Sequence, residues 1–333
     1  MVRKSFKSLV VGFGSIGNRH TKNLINLGCK NIDIFRTFRN KTQYPKIKNL
    51  NILKNFNEAI KKNKYDLMIL ANPTSDHINY AIKAAKEKIN IYIEKPLSNS
   101  LKNVNLLNKI RKKNNVKITV GCQLRYHSGL NYIKEIIEKK KLGKIYSVVC
   151  DVGAYLPSWH PNENYKKSYA GKKKLGGGVI LTLIHEIDYL YWLFGKFKSV
   201  YSTGGKLTKL NIDVEDTLLS NIVTNKNVPI LLRMDFWRQP PTRKLNIVGE
   251  KGQLFWDYHS KKTTLILKNG KKITKKLRSN WKKNQMYLDI LKDFILKISN
   301  NKKIKISLED GIYALKVALS LKKSLRQSKK ILI

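Results

Sequence analysis

A glycine-rich turn near the start of the chain dictates much of what can follow it. Residues 12–17 read Gly-Phe-Gly-Ser-Ile-Gly, directly after the apolar run Ser8–Val11 and at the start of a helical stretch from about Ser15 to Leu27. In a strand–turn–helix unit, the first glycine permits the tight turn, the second lets the backbone approach a pyrophosphate, and the third lets helix and strand pack closely. The helix N-terminus adds free N–H groups and a positive dipole end. The turn therefore predicts dinucleotide binding through its six residues: Gly12, Phe13, Gly14, Ser15, Ile16 and Gly17.

The second predicted strand, Asn31–Phe35, bears on which dinucleotide is bound. An acidic residue that contacts the ribose 2′-hydroxyl is expected about 20 residues past the glycines. Asp33 lies two residues too early for the strand tip, which carries Arg36 instead. An arginine at this place suits a 2′-phosphate, so NADP is slightly favoured over NAD. The alternative is that Arg36 is one more basic surface residue.

The order of the predicted elements indicates two domains of different class. Strands and helices alternate up to about Cys122, which is typical of a parallel sheet with helices on both faces. Successive strands with short turns follow, and two helices close the chain. We therefore expect an α/β Rossmann domain over residues 1–122, then an α+β domain over 123–333 with an open, mostly antiparallel sheet.

Lysine and arginine outnumber aspartate and glutamate by 67 to 22, a formal charge of +45. The basic residues are spread along the whole chain beside abundant Asn and Ile, whereas a nucleic-acid reader concentrates them on one face or arm. Compositional bias therefore explains the charge better than a polyanion partner, and we expect no specific nucleic-acid binding. A polyanion surface stays the alternative.

The cysteines and histidines do not suggest a metal site. Cys29, Cys122 and Cys150 are far apart and form no CxxC pair, so neither a zinc site nor a disulfide framework is expected. His127 and His259 show no ligand spacing.

Hydropathy indicates no membrane segment. The first apolar run breaks at Gly12, too early for a signal peptide. The stretch Val179–Phe194 contains His185, Glu186 and Asp188, which excludes a spanning helix. We expect a cytoplasmic protein with no membrane partner.

A set of short motifs, in order along nearly the whole chain, resembles the Gfo/Idh/MocA family of oxidoreductases (glucose–fructose oxidoreductase, inositol dehydrogenase and relatives). After the glycine turn these motifs are Ala71-Asn72-Pro73-Thr74 with His77, Glu94-Lys95-Pro96, Gln123-Leu124-Arg125-Tyr126, Leu156-Pro157-Ser158-Trp159-His160-Pro161, Gly176-Gly177-Gly178 with His185-Glu186-Ile187-Asp188, and Gly249-Glu250-Lys251-Gly252. Their order and spacing are specific, although no single motif is.

The resemblance implies two catalytic residues. Lys95 takes the position of the family's catalytic lysine, where an ammonium stabilises a developing alkoxide or relays its proton. His185 takes the place of a histidine that in many relatives has an acidic partner three or four positions earlier. Thr182 and Leu181 occupy those positions here. His185 therefore acts alone, leans on Asp188, or only binds a substrate hydroxyl.

The resemblance also implies the remaining site residues and the assembly. Besides the glycine turn and Arg36, the expected cofactor contacts are Asn72, Pro73, His77, Glu94 and Lys95. The expected substrate contacts are Gln123, Arg125, Tyr126, Trp159, His160, Tyr169 and His185. Arg125 would pair with an anionic group, and domain packing is its alternative role. We expect a homodimer or homotetramer formed through the C-terminal sheet.

These features together predict an NAD(P)-dependent oxidoreductase. It would transfer hydride to or from a secondary alcohol or ketone of a sugar. A sugar nucleotide or N-acyl sugar of surface-polysaccharide metabolism is the preferred substrate. The alternatives are an inositol or free-monosaccharide dehydrogenase, and a non-catalytic protein that binds NAD(P)H as a sensor ligand.

Overall fold

The computed structural model describes residues 5–36, 50–159 and 164–333, and the chain forms two compact units. The first unit comprises Met1–Gln123 with Lys283–Ile312, and the second comprises Leu124–Lys282 with Tyr313–Ile333. The sequence had suggested that everything after residue 122 belongs to one domain. The structure instead places residues 283–312 in the first unit.

The first unit is built on a six-stranded parallel sheet in the order β3-β2-β1-β4-β5-β6. Its strands are β1 (Lys7–Val11), β2 (Asn31–Phe35), β3 (Asn51–Leu53), β4 (Leu67–Leu70), β5 (Asn90–Ile93) and β6 (Ile118–Val120). The central strands β1, β4 and β5 are almost fully buried, as expected for a parallel sheet covered on both faces. The predicted Rossmann architecture is confirmed.

Helices connect the strands of this sheet. They are α1 (Ser15–Asn26), α2 (Phe56–Lys62), α3 (His77–Lys86) and α4 (Val104–Lys113). A further helix, α8 (Asn284–Ser299), packs on α1, where Asn23 and Asn284 exchange side-chain hydrogen bonds and the Arg19 guanidinium lies over the Tyr287 ring. Beyond α8, the Thr119 hydroxyl donates to the Ile306 carbonyl at 2.8 Å. These contacts are why residues 283–312 belong to the first unit.

The second unit contains a nine-stranded sheet in the order β14-β13-β12-β11-β7-β10-β9-β8-β15. The strands are β7 (Ile145–Gly153), β8 (Phe197–Gly205), β9 (Thr217–Thr224), β10 (Pro229–Asp235), β11 (Thr242–Gly249), β12 (Gly252–Asp257), β13 (Lys262–Leu267), β14 (Lys272–Lys276) and β15 (Ile331–Leu332). Only the β7–β10 pair is parallel; the other pairs are antiparallel. The predicted open, mostly antiparallel sheet is confirmed.

The helices of the second unit are α5 (Ser128–Glu138), α6 (Val179–Thr182), α7 (His185–Phe194) and most of α9 (Leu308–Gln327). Burial alternates along the middle of β7: Val148, Cys150 and Val152 are buried, whereas Val149 is exposed and Asp151 is half-buried. One face of the sheet therefore belongs to the core, and the other carries exposed apolar side chains. In the described parts of the chain, no helix combines the length and the apolar character that crossing a membrane requires.

Candidate active site

The glycine turn joins β1 to α1 so closely that two of its glycines have no substitute. Gly12 has a φ of +92°, and a Cβ there would lie 2.7 Å from the Ala71 carbonyl oxygen. A Cβ on Gly17 would lie 2.0 Å from the Gly12 carbonyl oxygen. The roles assigned to the first and third glycines, tight turn and close helix–strand packing, are therefore met.

The N-terminus of α1 is arranged to receive an anion. Gly14 is its N-cap, no side chain caps it, and its first turn contains no acidic residue. The first backbone N–H groups of a helix have no intrahelical acceptor, and the helix dipole is positive at this end. This helix N-terminus fits the phosphates of a dinucleotide. Phe13, Ser15 and Ile16 supply the rest of its backbone.

A second turn at the same sheet edge follows β4, the strand beside β1. The Asn72 side-chain oxygen is buried there and has no hydrogen-bond partner among the described residues, so it can accept from a bound ligand. His77 has both ring nitrogens taken: Nε2 lies 3.0 Å from the Asn72 carbonyl and Nδ1 lies 3.0 Å from the Pro96 carbonyl. His77 therefore ties the Asn72-Pro73 turn to the next loop, and its expected contact with the cofactor stays a prediction.

Lys95 stands just beyond the end of β5, and its neighbours hold its backbone in place. The buried Glu94 carboxylate accepts from the Lys95 backbone N–H at 3.2 Å and contacts His20 Nε2 at 2.7 Å. On the other side of Lys95, the Pro96 carbonyl contacts His77 Nδ1, which fixes the chain there as well. Lys95 itself is half-buried. Glu94 thus orients the turn that presents Lys95, whereas its expected contact with the cofactor stays a prediction.

The two charged residues of β2 have different surroundings. Asp33 is buried and accepts from the Tyr65 hydroxyl at 2.6 Å and from Asn51 at 3.1 Å. Burial and this carboxylate raise the pKa of Tyr65. Asp33 is therefore committed inside the unit, in agreement with its exclusion as a ribose ligand. Arg36 is half-exposed at the strand tip.

In the second unit, His185 is the first residue of α7 and is 5 % exposed. The two positions where relatives place an acid, Leu181 and Thr182, are buried in α6 and are not acidic. A glycine turn precedes them: Gly178 has a φ of +104°, and a Cβ there would lie 2.2 Å from the Glu215 carboxylate. A side chain at Gly178 would be strained by this φ and would displace the Glu215 carboxylate.

Arg125 forms a buried ion pair within the second unit. Its guanidinium binds the Asp188 carboxylate in a bidentate pair, with nitrogen–oxygen distances of 2.9 and 2.7 Å, and both side chains are nearly inaccessible, at 3 % and 1 %. Arg125 is thus paired with a buried carboxylate, and its expected contact with the substrate stays a prediction. The hypothesis that His185 leans on Asp188 also stays a prediction.

A second buried ion pair holds the same helix and was missed in the sequence. The Glu186 carboxylate, fully buried next to His185, accepts from Arg243 Nε of β11 at 2.7 Å. Glu186 raises the pKa of Arg243, although burial alone would lower it. The acidic pair at positions 186 and 188 was visible in the sequence, but nothing in it identified Arg243 as the partner.

The loop after β7 contributes an indole that is open to a ligand. Trp159 packs edge-on against Phe236, with ring centroids 5.3 Å apart, and its buried Nε1 has no acceptor among the described residues. Tyr169 is exposed. Tyr126 is half-buried and Gln123 is buried, the latter in the first unit. His160 lies outside the described residues. These substrate contacts stay predictions.

No group of three or more His, Cys, Asp or Glu side chains in the described ranges is placed to hold a metal ion.

Comparison with known proteins accounts for nearly the whole chain. Residues 6–122 match the model of an oxidoreductase family with an NAD-binding Rossmann fold, and residues 134–333 match that family's C-terminal alpha/beta domain. Over 334 aligned residues, 97 % of either chain, the sequence is 25 % identical to myo-inositol 2-dehydrogenase of Thermotoga maritima.

Solved structures show the same fold. The WlbA dehydrogenase of Bordetella pertussis, crystallised with NADH and UDP-GlcNAcA, superposes with a TM-score of 0.83 and 18 % identity over 100 % of this chain and 99 % of that one. Levoglucosan dehydrogenase, in complex with NADH and levoglucosan, has a TM-score of 0.86 and 16 % identity over 98 % and 99 % of the two chains.

Proposed function

Because the chain belongs to the Gfo/Idh/MocA family of NAD-dependent oxidoreductases, we propose that it transfers hydride between a nicotinamide cofactor and a secondary alcohol or ketone of a sugar. The observation that carries this proposal is the placement of Lys95. The strands β1, β4 and β5 are neighbours in a parallel sheet, so the glycine turn, Asn72 and Lys95 all follow their carboxyl ends at one edge. Two strand spacings, about 10 Å, separate the glycine turn from Lys95.

The chemistry assigned to the protein is positioning and proton handling. The nicotinamide supplies the hydride acceptor or donor. As hydride leaves a carbon, the attached hydroxyl must lose its proton; Lys95 would stabilise the alkoxide as the ammonium, or accept that proton as the neutral amine. Glu94 and His77 contribute by fixing the turn on either side of Lys95. His185 binds a substrate hydroxyl, and Trp159 Nε1 donates to a sugar oxygen.

The proposed cofactor preference is for NADP over NAD. It is supported by Arg36 at the tip of β2 and by the commitment of Asp33 to Tyr65 and Asn51. Calorimetric titration with NADPH and NADH tests it. NADPH should bind more tightly, and Arg36→Ala should narrow the difference. Equal affinities for NADPH and NADH, unchanged by Arg36→Ala, would contradict the preference for NADP.

The proposed substrate is a nucleotide-linked or N-acylated sugar, of the kind used in surface-polysaccharide metabolism. The WlbA comparison supports a sugar nucleotide, and the Thermotoga relative supports the runner-up, inositol or a free monosaccharide. A panel of sugars, inositols and UDP-, GDP- and CMP-sugars, followed by NAD(P)H absorbance, decides between them. Turnover restricted to inositols would reject the first choice, and no turnover on any alcohol or ketone would reject the reaction.

The proposed assembly is a homodimer or homotetramer formed through the exposed face of the second unit's sheet. Residues in register form a row across six strands of this face: Phe255, Asn246, Val149, Leu231, Asn221 and Tyr201. The row spans about 24 Å, and its four apolar members are 38–41 % exposed. The Asn246 side-chain oxygen has no partner among the described residues. An exposed apolar row that also contains an amide oxygen without a partner is typical of a surface that binds another protein, here a second copy of the chain.

A further inference from the structure

A cavity of about 690 Å³ lies within the second unit, beside the segment that leads to His185. Its walls come from three segments. They are the short helical turn that contains Lys173, just before Gly176-Gly177-Gly178, the connection between β8 and β9, and α9. Five basic side chains line it: Lys173, Lys206, Lys322, Lys323 and Arg326. Only two acidic residues, Asp213 and Glu215, share the lining. The cavity is of the size that binds small molecules and cofactors.

Both acidic side chains of the cavity are already engaged by its own walls. The Asp213 carboxylate accepts from the Lys173 backbone N–H at 2.7 Å. The Glu215 carboxylate accepts twice from Lys322 Nζ, at 3.0 and 3.1 Å. Lys322 is therefore neutralised by Glu215, whereas Asp213 keeps its negative charge; five basic and two acidic side chains leave the lining with a net charge of +3.

The other four cations of the cavity have no acidic partner in the part of the chain that the structure describes. Lys173, Lys206, Lys323 and Arg326 come from three separate segments, yet all line one cavity. Because Asp213 is their one remaining counter-charge in the cavity lining, these cations keep a net positive charge and favour a ligand that carries several negative charges. Lysine and arginine are also the side chains that bind phosphate oxygens best.

The cavity is connected to the backbone ahead of His185 through one residue. Glu215, in the cavity wall, packs its carboxylate against the Cα of Gly178, and its backbone carbonyl accepts from the Val179 N–H at 3.0 Å. Seven residues of mainly helical chain, about 10 Å, then separate Gly178 from His185. A ligand in the cavity would thus lie against the segment that positions His185.

We propose that this cavity binds a diphosphate-bearing ligand through Lys173, Lys206, Lys323 and Arg326. Two sources share this chemistry: the diphosphate of a nucleotide-linked sugar substrate, or a separate diphosphate ligand of the protein. The first source rests on the proposed function; binding itself does not.

Inorganic pyrophosphate is the probe, titrated calorimetrically into the full chain at physiological ionic strength, where exposed charges are screened beyond about 8 Å. The cavity variant K206Q/K323Q/R326Q removes three positive charges. Its control, K109Q/K112Q/K113Q on α4, removes the same number from an exposed surface of the first unit. The cavity variant should bind pyrophosphate about tenfold more weakly than wild type, because each exposed pair contributes a fraction of a kcal/mol. The control should bind it like wild type.

If both variants bind pyrophosphate equally more weakly than wild type, binding depends only on the overall positive charge of the protein, and the proposal is overturned. Unchanged binding in the cavity variant would also overturn it. Kinetics with a substrate found in the panel then identify the source. If pyrophosphate raises KM without lowering kcat, and does so less in the cavity variant, the ligand is the substrate's own diphosphate. If KM does not respond while binding persists, the ligand is a separate one. Because the titration needs no turnover, it stands even if the proposed reaction fails.

Discussion

At the residue scale, Lys95 is the side chain on which the proposed reaction depends. Lys95→Met should lower kcat by about two to four orders of magnitude, the range for losing a group that moves a proton or stabilises charge. Affinity for NADPH should hardly change, since the glycine turn holds the phosphates. Lys102→Met, at an exposed position seven residues away, is the control. A Lys95→Met enzyme with near-normal kcat would leave this lysine without a catalytic role.

His185 should matter less than Lys95, because it has no acidic partner at position 181 or 182. We expect His185→Ala to cost less in kcat than Lys95→Met, and part of its effect to appear as a raised KM, the mark of lost ground-state binding. Steady-state kinetics on the same substrate make the comparison. Thr182→Asp tests whether an acid–base pair can be rebuilt: an increase in kcat that requires His185 supports the idea. A larger loss from His185→Ala than from Lys95→Met would refute the ranking.

His127 makes the second unit sensitive to acid. Its ring is buried, its Nδ1 accepts from the Gly129 N–H at 3.1 Å, and burial, followed by the Arg243 charge, lowers its pKa to about 4. The unfolded chain therefore binds a proton more readily. The stability contributed by neutral His127 is complete above about pH 6.5 and is lost as the pH falls toward 4, by about 3 kcal/mol.

The measurement is urea unfolding at several pH values. His127→Asn keeps an oxygen that can cap α5 and removes the titration, so its stability should fall less between pH 6.5 and 4. This variant should still lose some stability at low pH, because burial also lowers the pKa of His77. His259→Asn, at an exposed position, is the control. An identical pH dependence in wild type and His127→Asn would contradict the assignment.

At the scale of elements, α7 is held by two buried carboxylates two residues apart, Glu186 and Asp188, each paired with an arginine from another element. Removing one charge of a buried pair leaves the other uncompensated. Asp188→Asn should therefore lower the free energy of unfolding by about 3–5 kcal/mol. Glu135→Gln breaks the exposed Glu135–Lys139 pair of α5 and should cost less than about 1 kcal/mol.

Chemical denaturation compares these two variants with wild type. Equal effects of the two substitutions would show that the Arg125–Asp188 pair adds nothing beyond a surface contact. The double variant R125M/D188L should recover much of the loss, because apolar side chains of similar volume can replace a buried pair.

Local sequence patterns predict most helices and strands of this chain. They do not predict contacts between residues that are distant in the sequence. The sequence predicts β2 within Asn31–Phe35 and α8 from Asn284 correctly, since each has its own periodicity. It misses β8, Phe197–Gly205, where polar residues break the apolar alternation and two glycines end the strand. The pairing of Arg125 with Asp188 could not be predicted, because the two residues are 63 positions apart. No spacing rule relates two such residues before the fold is known.

At the scale of the whole molecule, the exposed sheet face predicts self-association. Leu231→Lys places a charge in the centre of the apolar row and should convert the dimer or tetramer to a monomer in light scattering after size exclusion. Leu106→Lys, on an equally exposed leucine of α4, should leave the mass unchanged. A wild-type monomer at micromolar concentration, or loss of assembly with both substitutions, would contradict this surface.

The division of the first unit between two stretches of chain has a consequence for biosynthesis. About 160 residues separate Gln123 from Lys283, which a ribosome adds in roughly 10–30 s. For that interval the six parallel strands can be made, but the surface of α1 that Tyr287 and its neighbours cover has no α8 to meet it. The nascent dinucleotide unit is therefore incomplete until most of the second unit has been translated. Its early surface is a natural site for a chaperone, and a fragment that stops at residue 123 should be recovered mainly as aggregate.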